Sequence, residues 1–330
     1  MSRQILVISF FLSVFLISCQ GRADKNKEAG SNDSISGELI IFHAGSMTVP
    51  VKVIADSFQK LHPTLRIYSE AAGSRECARK ISDLKKPCDI MISADYLVID
   101  NMLIPDYTDW SIKFASNEMV IAYLPESRRS SEINQNNWFE ILMKKEVAYG
   151  RADPNSDPCG YRSLLCMQLA EKFYQKPGLE KRMKEKDNNY IRPKEMDLLA
   201  LLDSHVIDYV FIYKSVACQH KLQWLELPNE VNLKNAAISE LYLSVSVQLS
   251  GKKPGEFVEQ KGEAMLYGIT MIKTAPNAKA ALAFAEFFLS ADAGQKLLEE
   301  NCQPSVIPEQ ATGYVMIPES LKKYCLEPGE

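Results

Sequence analysis

The sequence predicts an α/β protein built as two lobes, and three observations predict it. Strand-like apolar runs alternate with amphipathic helical patterns along the body, as parallel sheets require of their crossovers. The chain has 330 residues, more than the ~100–200 typical of one domain, so two such units fit. Three times an apolar run stops at small polar residues where a helical pattern begins: at Gly45-Ser46, at Gly73-Ser74 and at Asp157-Pro158-Cys159-Gly160. A helix N-terminus carries unpaired N–H groups and about half a positive charge, so several converging on one cleft can hold an oxyanion without Lys or Arg. That is the signature of a receptor more than of an enzyme, and a cleft between lobes is where ligands usually bind.

The elements follow in order. Arg3 and the apolar run 5–17, too short to span a bilayer comfortably, read as a secretory signal over residues 1–18. Its end, Leu16-Ile17-Ser18-Cys19, resembles the lipobox of bacterial lipoproteins, in which cleavage precedes a cysteine that is then lipid-modified. Residues 19–38 are polar and rich in Gly, Ser, Asn, Asp and Lys, the composition of a flexible tether. Candidate strands are 39–42, 66–70, 89–93, 119–123, 147–149, 209–213, 242–248 and 265–272. After Ser46 the residues Val53, Ile54, Phe58 and Leu61 recur at helical spacing until Pro63, and after Cys159 the stripe is Leu165, Leu169 and Phe173. The chain is expected to cross between lobes near 119–123 and 267–272, with helices 278–289 and 293–299 returning to the first lobe. Lobe I is then 39–120 plus 270–330, and lobe II is 121–269.

Composition narrows the function. A hydrophobic share of 46%, a charged share of 24% and a net charge of −4 are ordinary for a globular protein and give no reason to expect nucleic acid. A net acidic protein that binds anions must use local dipoles. Setting Cys19 aside leaves seven of the eight cysteines, an odd number without metal spacing; buried thiols with a bridge between Cys302 and Cys325 are the expectation.

Five stretches carry a family resemblance: Phe42-His43-Ala44-Gly45-Ser46; Asp109-Trp110 together with Phe114-Ala115-Ser116-Asn117-Glu118-Met119-Val120; Asp157-Pro158-Cys159-Gly160-Tyr161-Arg162-Ser163; Arg192-Pro193-Lys194-Glu195; and Tyr213-Lys214-Ser215-Val216-Ala217. From Leu39 to about Pro308 the chain resembles the tungstate/molybdate-binding proteins of ABC importers, in the branch common in archaea. The resemblance implies the type II periplasmic binding protein fold, two α/β lobes on a hinge with the ligand cleft between them. It implies an oxyanion contacted by Gly45, Ser46, Ser74, Asp157, Pro158, Cys159, Glu195 and Tyr213, with Asp157 and Glu195 bonding directly to the Mo or W centre. It also implies a monomeric receptor in the cell envelope, held to the membrane through Cys19, that delivers its ligand to an ABC permease and needs no cofactor. The segment between Tyr174 and Ile191 is shorter than in archaeal relatives, which makes Glu70, Glu118 and Glu240 the fallback carboxylates.

Carboxylates beside a dianion need a physical account, since like charges repel by several kcal/mol where solvation is poor. A protonated carboxyl could donate a hydrogen bond, or carboxylate oxygens could expand a tetrahedral Mo(VI) or W(VI) centre toward six oxygens; the resemblance favours expansion. Sulfate and phosphate cannot expand and would feel only the repulsion. Arg162 and Lys194 lie near the site in sequence, and His43 reads as packing behind the first junction. Other readings are a receptor for sulfate, phosphate or another small anion, a lipid-anchored hydrolase using Asp157 and Glu195 as acid and base, and a sensor for a membrane signalling partner. No nucleophile elbow or triad signature supports catalysis.

Overall fold

A computed structural model describes residues 35–329 apart from Asp187 and Pro254. The expected signal segment, Cys19 and most of the expected tether lie outside the described residues. The first strand, β1 (Gly37–Ala44), starts two residues before the tether was expected to end and pairs from Gly37 onward with β2 (Leu65–Ala72).

β1 also runs parallel to β3 (Ile90–Ser93), while β12 (Leu266–Met271) lies antiparallel between β3 and β4 (Ile112–Ser116), giving the order β2-β1-β3-β12-β4. Every residue of β3 is buried, as expected of a strand covered on both faces. On one face lie α1 (Thr48–Leu61) and the helix Ala278–Leu289, with Phe58 edge-on to Phe284 at 5.3 Å. On the other lie α2 (Ser74–Ser82) and α3 (Tyr96–Met102), contributing Cys77, Ala78, Ile81 and Val98. The helix Ala278–Leu289, late in the chain, therefore covers the sheet that holds β1.

The second sheet has the order β7-β6-β8-β5-β9, from β5 (Met119–Tyr123), β6 (Tyr149–Ala152), β7 (Ile191–Arg192), β8 (Tyr209–Tyr213) and β9 (Gln223–Glu226). The run Tyr-Val-Phe-Ile-Tyr of β8 is buried throughout and sits centrally, as its unbroken apolar character demands. Around this sheet are α4 (Trp138–Leu142), α5 (Pro158–Phe173), α6 (Leu179–Glu185), α7 (Asp197–Asp203) and α8 (Lys214–Gln219). A hairpin of β10 (Ser246–Ser250) and β11 (Phe257–Lys261) stands apart as a two-stranded sheet.

Several expectations are corrected here. The runs 119–123 and 267–271 are themselves strands, and the crossings lie just before each of them; β5 holds Met119, Val120, Ile121 and Ala122 at 0% exposure. The chain passes between sheets through the polar pair Asn117-Glu118 and returns over 262–265. The expected strand 242–248 splits, because true alternation begins only at Val245, Val247 and Leu249, while Tyr242 is anchored in the helix Ser239–Leu243. Sequence reading passed over β4, β7, β9 and β11, which are short or polar. Leu61 and Phe173, placed on apolar stripes, end their helices at 63% and 43% exposure. Cys302 pairs with Cys218 of α8 and not with Cys325, which is a buried free thiol. Gln219, beside Cys218, donates to the Asn301 carbonyl at 2.9 Å, so these two segments meet although 84 residues separate the cysteines.

Glu263 stands in the return crossing, partly buried, with Tyr96 donating to its Oε2 at 3.2 Å and no partner for Oε1. Burial, followed by the charge of Asp95, pushes its carboxyl from 4.5 up to about 7. The folded chain thus holds this proton between those values and the unfolded chain does not, so its stabilising contribution is present below the lower value and lost as pH rises through the upper one. Glu263→Gln is expected to stabilise the protein by about 1–2 kcal/mol at pH 8 and by little at pH 5, read from thermal midpoints.

Candidate anion-binding site

The three strand-to-helix junctions meet where the two sheets face each other. At the first, β1 runs into a 3-10 turn, Gly45–Met47, before α1. Gly45 lies close to the second lobe there: a Cβ would fall 3.0 and 3.1 Å from the carboxylate oxygens of Glu195, which arrive at the turn before α7. At the second, Gly73 precedes α2, and a Cβ on it would lie 2.2 Å from the Ser156 carbonyl across the cleft. The Glu76 N–H donates to that same carbonyl at 3.3 Å. At the third, Asp157 caps α5, its Oδ1 accepting from the Cys159 N–H at 2.8 Å and its Oδ2 from the Glu195 N–H at 3.2 Å.

Three hydroxyls are oriented by their neighbours. Tyr267 donates to Ser46 Oγ at 3.1 Å and itself accepts from Asn117 Nδ2 at 3.0 Å. The Ala94 N–H donates to Ser74 Oγ at 3.0 Å, so Ser74 does not cap its helix as a side-chain acceptor. Arg162 Nη1 donates to the Tyr213 hydroxyl at 3.1 Å. Each oxygen is engaged as an acceptor, which leaves each hydroxyl hydrogen available to an acceptor in the site.

The electrostatics are severe. Asp157 and Glu195 are 2% and 1% exposed; neither oxygen of Glu195 receives an N–H or hydroxyl, and its hydrogen-bonding neighbour is the Asp157 carboxyl. Burial raises the Asp157 carboxyl; burial and then the neighbouring Asp157 charge raise Glu195 well above the carboxylate range. Burial likewise raises the Cys159 thiol, which donates to the Phe211 carbonyl at 3.6 Å. A guanidinium balances part of this charge: Arg162, 2% exposed, pairs with Asp95 of the first lobe at 3.3 Å and donates to the Ala94 carbonyl at 2.7 Å. Tyr161 also donates to Asp95.

Gly45, Ser46, Ser74, Asp157, Pro158, Cys159, Glu195 and Tyr213 are thus brought together, with one qualification in role. The N–H of Cys159 is taken by Asp157, so the third junction already holds a carboxylate where an anion was expected. The fallback carboxylates have other surroundings: Glu70 pairs with Lys80 at 2.8 Å, Glu118 with Lys214 and Lys234 at 3.0 Å each, and Glu240 lies in the helix Ser239–Leu243. Lys194 is partly exposed and pairs with Asp197 at 3.7 Å. His43 is buried with Nδ1 on the Ala44 carbonyl at 2.8 Å, and burial lowers it to about 4. Sequence reading missed Asp95, Tyr161 and Tyr267. Asp95 had a legible signal: Ser93-Ala94-Asp95 ends β3 and caps α3, a fourth junction of the same kind.

The chain belongs to the bacterial extracellular solute-binding protein family, whose model matches residues 39–301. It is 43% identical over 323 residues to a solute-binding protein of Petrotoga mobilis, covering 98% of each chain. It is 39% identical to the molybdate/tungstate-binding protein WtpA of Pyrococcus abyssi, covering 96% of this chain and 97% of that one. The WtpA protein of Thermococcus kodakarensis is 36% identical, with 96% and 95% covered. In fold it is similar to the periplasmic molybdate-binding protein of Azotobacter vinelandii, with a TM-score of 0.57, 12% identity and coverage of 80% and 98%. The sulfate-binding protein SubI of Mycobacterium tuberculosis gives 0.58, 12% identity and coverage of 82% and 87%. These neighbours are two-lobed periplasmic binding proteins, the architecture built here from two sheets.

The close approach at Gly73 generates a test. Its backbone angles, φ −58° and ψ 141°, suit any residue, so Gly73→Ala is expected to fold. Its methyl would collide with the Ser156 carbonyl only when the lobes meet. With saturating tungstate or molybdate added, solution scattering is expected to give a larger radius of gyration than wild type under the same conditions, with cooperative unfolding retained; an unchanged radius would show that the lobes do not close against this glycine.

Proposed function

We propose that this solute-binding protein captures tungstate or molybdate between its lobes and presents it to an ABC importer. One observation carries the reading: two carboxyl groups, Asp157 and Glu195, are buried against N–H groups and donor-oriented hydroxyls at a junction of two lobes. A hydrolase would need its carboxyls reachable by water and substrate, so the arrangement supports a receptor and not an enzyme. A receptor for sulfate gains nothing from carboxylates in its site, whereas Mo(VI) and W(VI) are hard centres that accept further oxygen ligands. Asp157 and Glu195 would then raise the oxygen count from four to six, while Ser46, Ser74 and Tyr213 donate to the anion's own oxygens. The 36–39% identity to WtpA proteins over nearly the whole chain supports the same ligand.

The remaining parts of the proposal concern placement. Residues 1–18 serve as the export signal and Cys19 carries lipid, so a monomeric body works on the outer side of a membrane and hands its ligand to a permease. Among the described residues no helix is long and apolar enough to cross a membrane.

Hydrogenphosphate is the competing ligand, because its O–H could donate to the oxygens of Glu195, which receive no N–H or hydroxyl. Calorimetric titration with tungstate, molybdate, sulfate and phosphate separates the two. Tight one-to-one binding of the first two and none of the others is expected; preference for phosphate or sulfate would overturn the coordination argument. Asp157→Asn and Glu195→Gln are each expected to weaken tungstate about 100-fold, roughly 2.7 kcal/mol, while leaving sulfate no weaker than before.

A further inference from the structure

We propose that Asp95, Tyr161 and Arg162 form the latch that registers the two lobes on closure, and that Arg162 in the same act positions Tyr213 for the anion. This deepens the reading of the site as an oxyanion receptor and rests on it.

The argument starts at Asp95. Its Oδ1 caps α3 by accepting from the Leu97 N–H at 3.0 Å, which leaves Oδ2 as the oxygen that crosses the cleft. Oδ2 receives Arg162 Nη2 at 3.3 Å and the Tyr161 hydroxyl, from consecutive residues of α5 in the second lobe. The other terminal nitrogen of Arg162 donates to the Ala94 carbonyl of the first lobe at 2.7 Å and to Tyr213 of its own lobe at 3.1 Å. One guanidinium therefore engages two consecutive residues of the opposite lobe and one proposed ligand contact. Arg is suited to this because its planar fork presents several donors in fixed directions, which the single ammonium of Lys cannot match.

Energetics decide what such a latch does. Asp95, Tyr161 and Arg162 are all 2% exposed or less, so closing the lobes removes both charges from water. The cost of desolvating a buried ion pair roughly offsets its attraction, so the latch contributes alignment more than net closing force. Closure then depends on what the anion adds, and a misfit anion that holds the lobes slightly apart loses the pair's hydrogen bonds while keeping its desolvation. Ala94 links the two halves of the site: its N–H orients Ser74 and its carbonyl receives Arg162. A second set of contacts farther out, Arg75 and Arg79 of α2 on the Asn155 carbonyl at 3.3 and 3.2 Å, closes the same edge without touching the proposed ligand residues.

The test uses Asp95→Asn, which keeps the cap on α3, Arg162→Lys, which keeps the charge, and the double variant. Stopped-flow binding and solution scattering with tungstate are the readouts, alongside the thermal midpoint without added anion. Each single variant is expected to release tungstate at least tenfold faster and to lose most of the ligand-induced contraction, with midpoints near wild type. The double variant is expected to be little worse than either single. Wild-type release and contraction in both variants would overturn the proposal, as would faster release in step with a lowered midpoint, which a merely structural ion pair gives. A wild type that contracts with sulfate or phosphate instead of tungstate removes the ligand assignment, and the same variants then judge the latch with that anion. Contraction with none of them overturns both.

Discussion

Asp95 pairs with the buried guanidinium of Arg162, Asp157 feels its charge, and Glu195 is buried against Asp157, all at the junction of two sheets; the surrounding architecture follows from that burden. Buried charge is tolerated only where hydrogen bonds and opposite charge replace the lost water. Asp95 and Asp157 meet the requirement by capping helices, with Leu97 and Cys159 donating to them. Glu195 meets it differently: burial and Asp157 push its carboxyl toward the neutral form, and Asp157 is its hydrogen-bonding neighbour in place of an N–H or hydroxyl. A buried carboxyl pair of this kind, reached by few other donors, is the feature on which the proposed binding site rests.

The glycines at the junctions serve this arrangement. Gly45 leaves room for the Glu195 carboxyl, and Gly73 admits the Ser156 carbonyl at a backbone distance where a methyl group would separate the lobes. The hydroxyls then follow a common rule. Ser46, Ser74 and Tyr213 each accept a hydrogen bond from behind, from Tyr267, the Ala94 N–H and Arg162, and so each faces the site as a donor. A site lined in this way suits a fully deprotonated oxyanion. In the proposed function the two carboxyls would decide among oxyanions, by charge against those that cannot coordinate and by bonding with those that can.

Asn117 connects this chemistry to the hinge. It lies in a two-residue crossing, donates to Tyr267 of the first sheet and to Ser215 Oγ of α8 at 2.8 Å, and so touches both lobes while supporting the orientation of Ser46. The Cys218–Cys302 bridge ties α8 to the segment after the helix Lys296–Glu300, adding a covalent link beside the two backbone crossings.

Much of this was legible in local pattern. Period-two and period-3.6 spacing located most strands and the longest helices, the small residues at Gly45-Ser46, Gly73-Ser74 and Asp157-Pro158 marked the junctions, and motif order supplied the family and Glu195. What failed locally had local reasons: β9 and β11 are largely exposed and carry little apolar pattern, and Tyr242 mimicked a strand start while belonging to a helix. The sequence by itself determined the α/β class and the junctions, because these depend on near neighbours along the chain, while the candidate contacts came from the family resemblance. Only the tertiary structure decided that Asp95 meets Tyr161 from 66 residues away, that Cys302 pairs with Cys218, and that Glu195 comes to rest against Gly45. Those contacts depend on how two separately folded sheets are set against each other, and no local spacing encodes that placement.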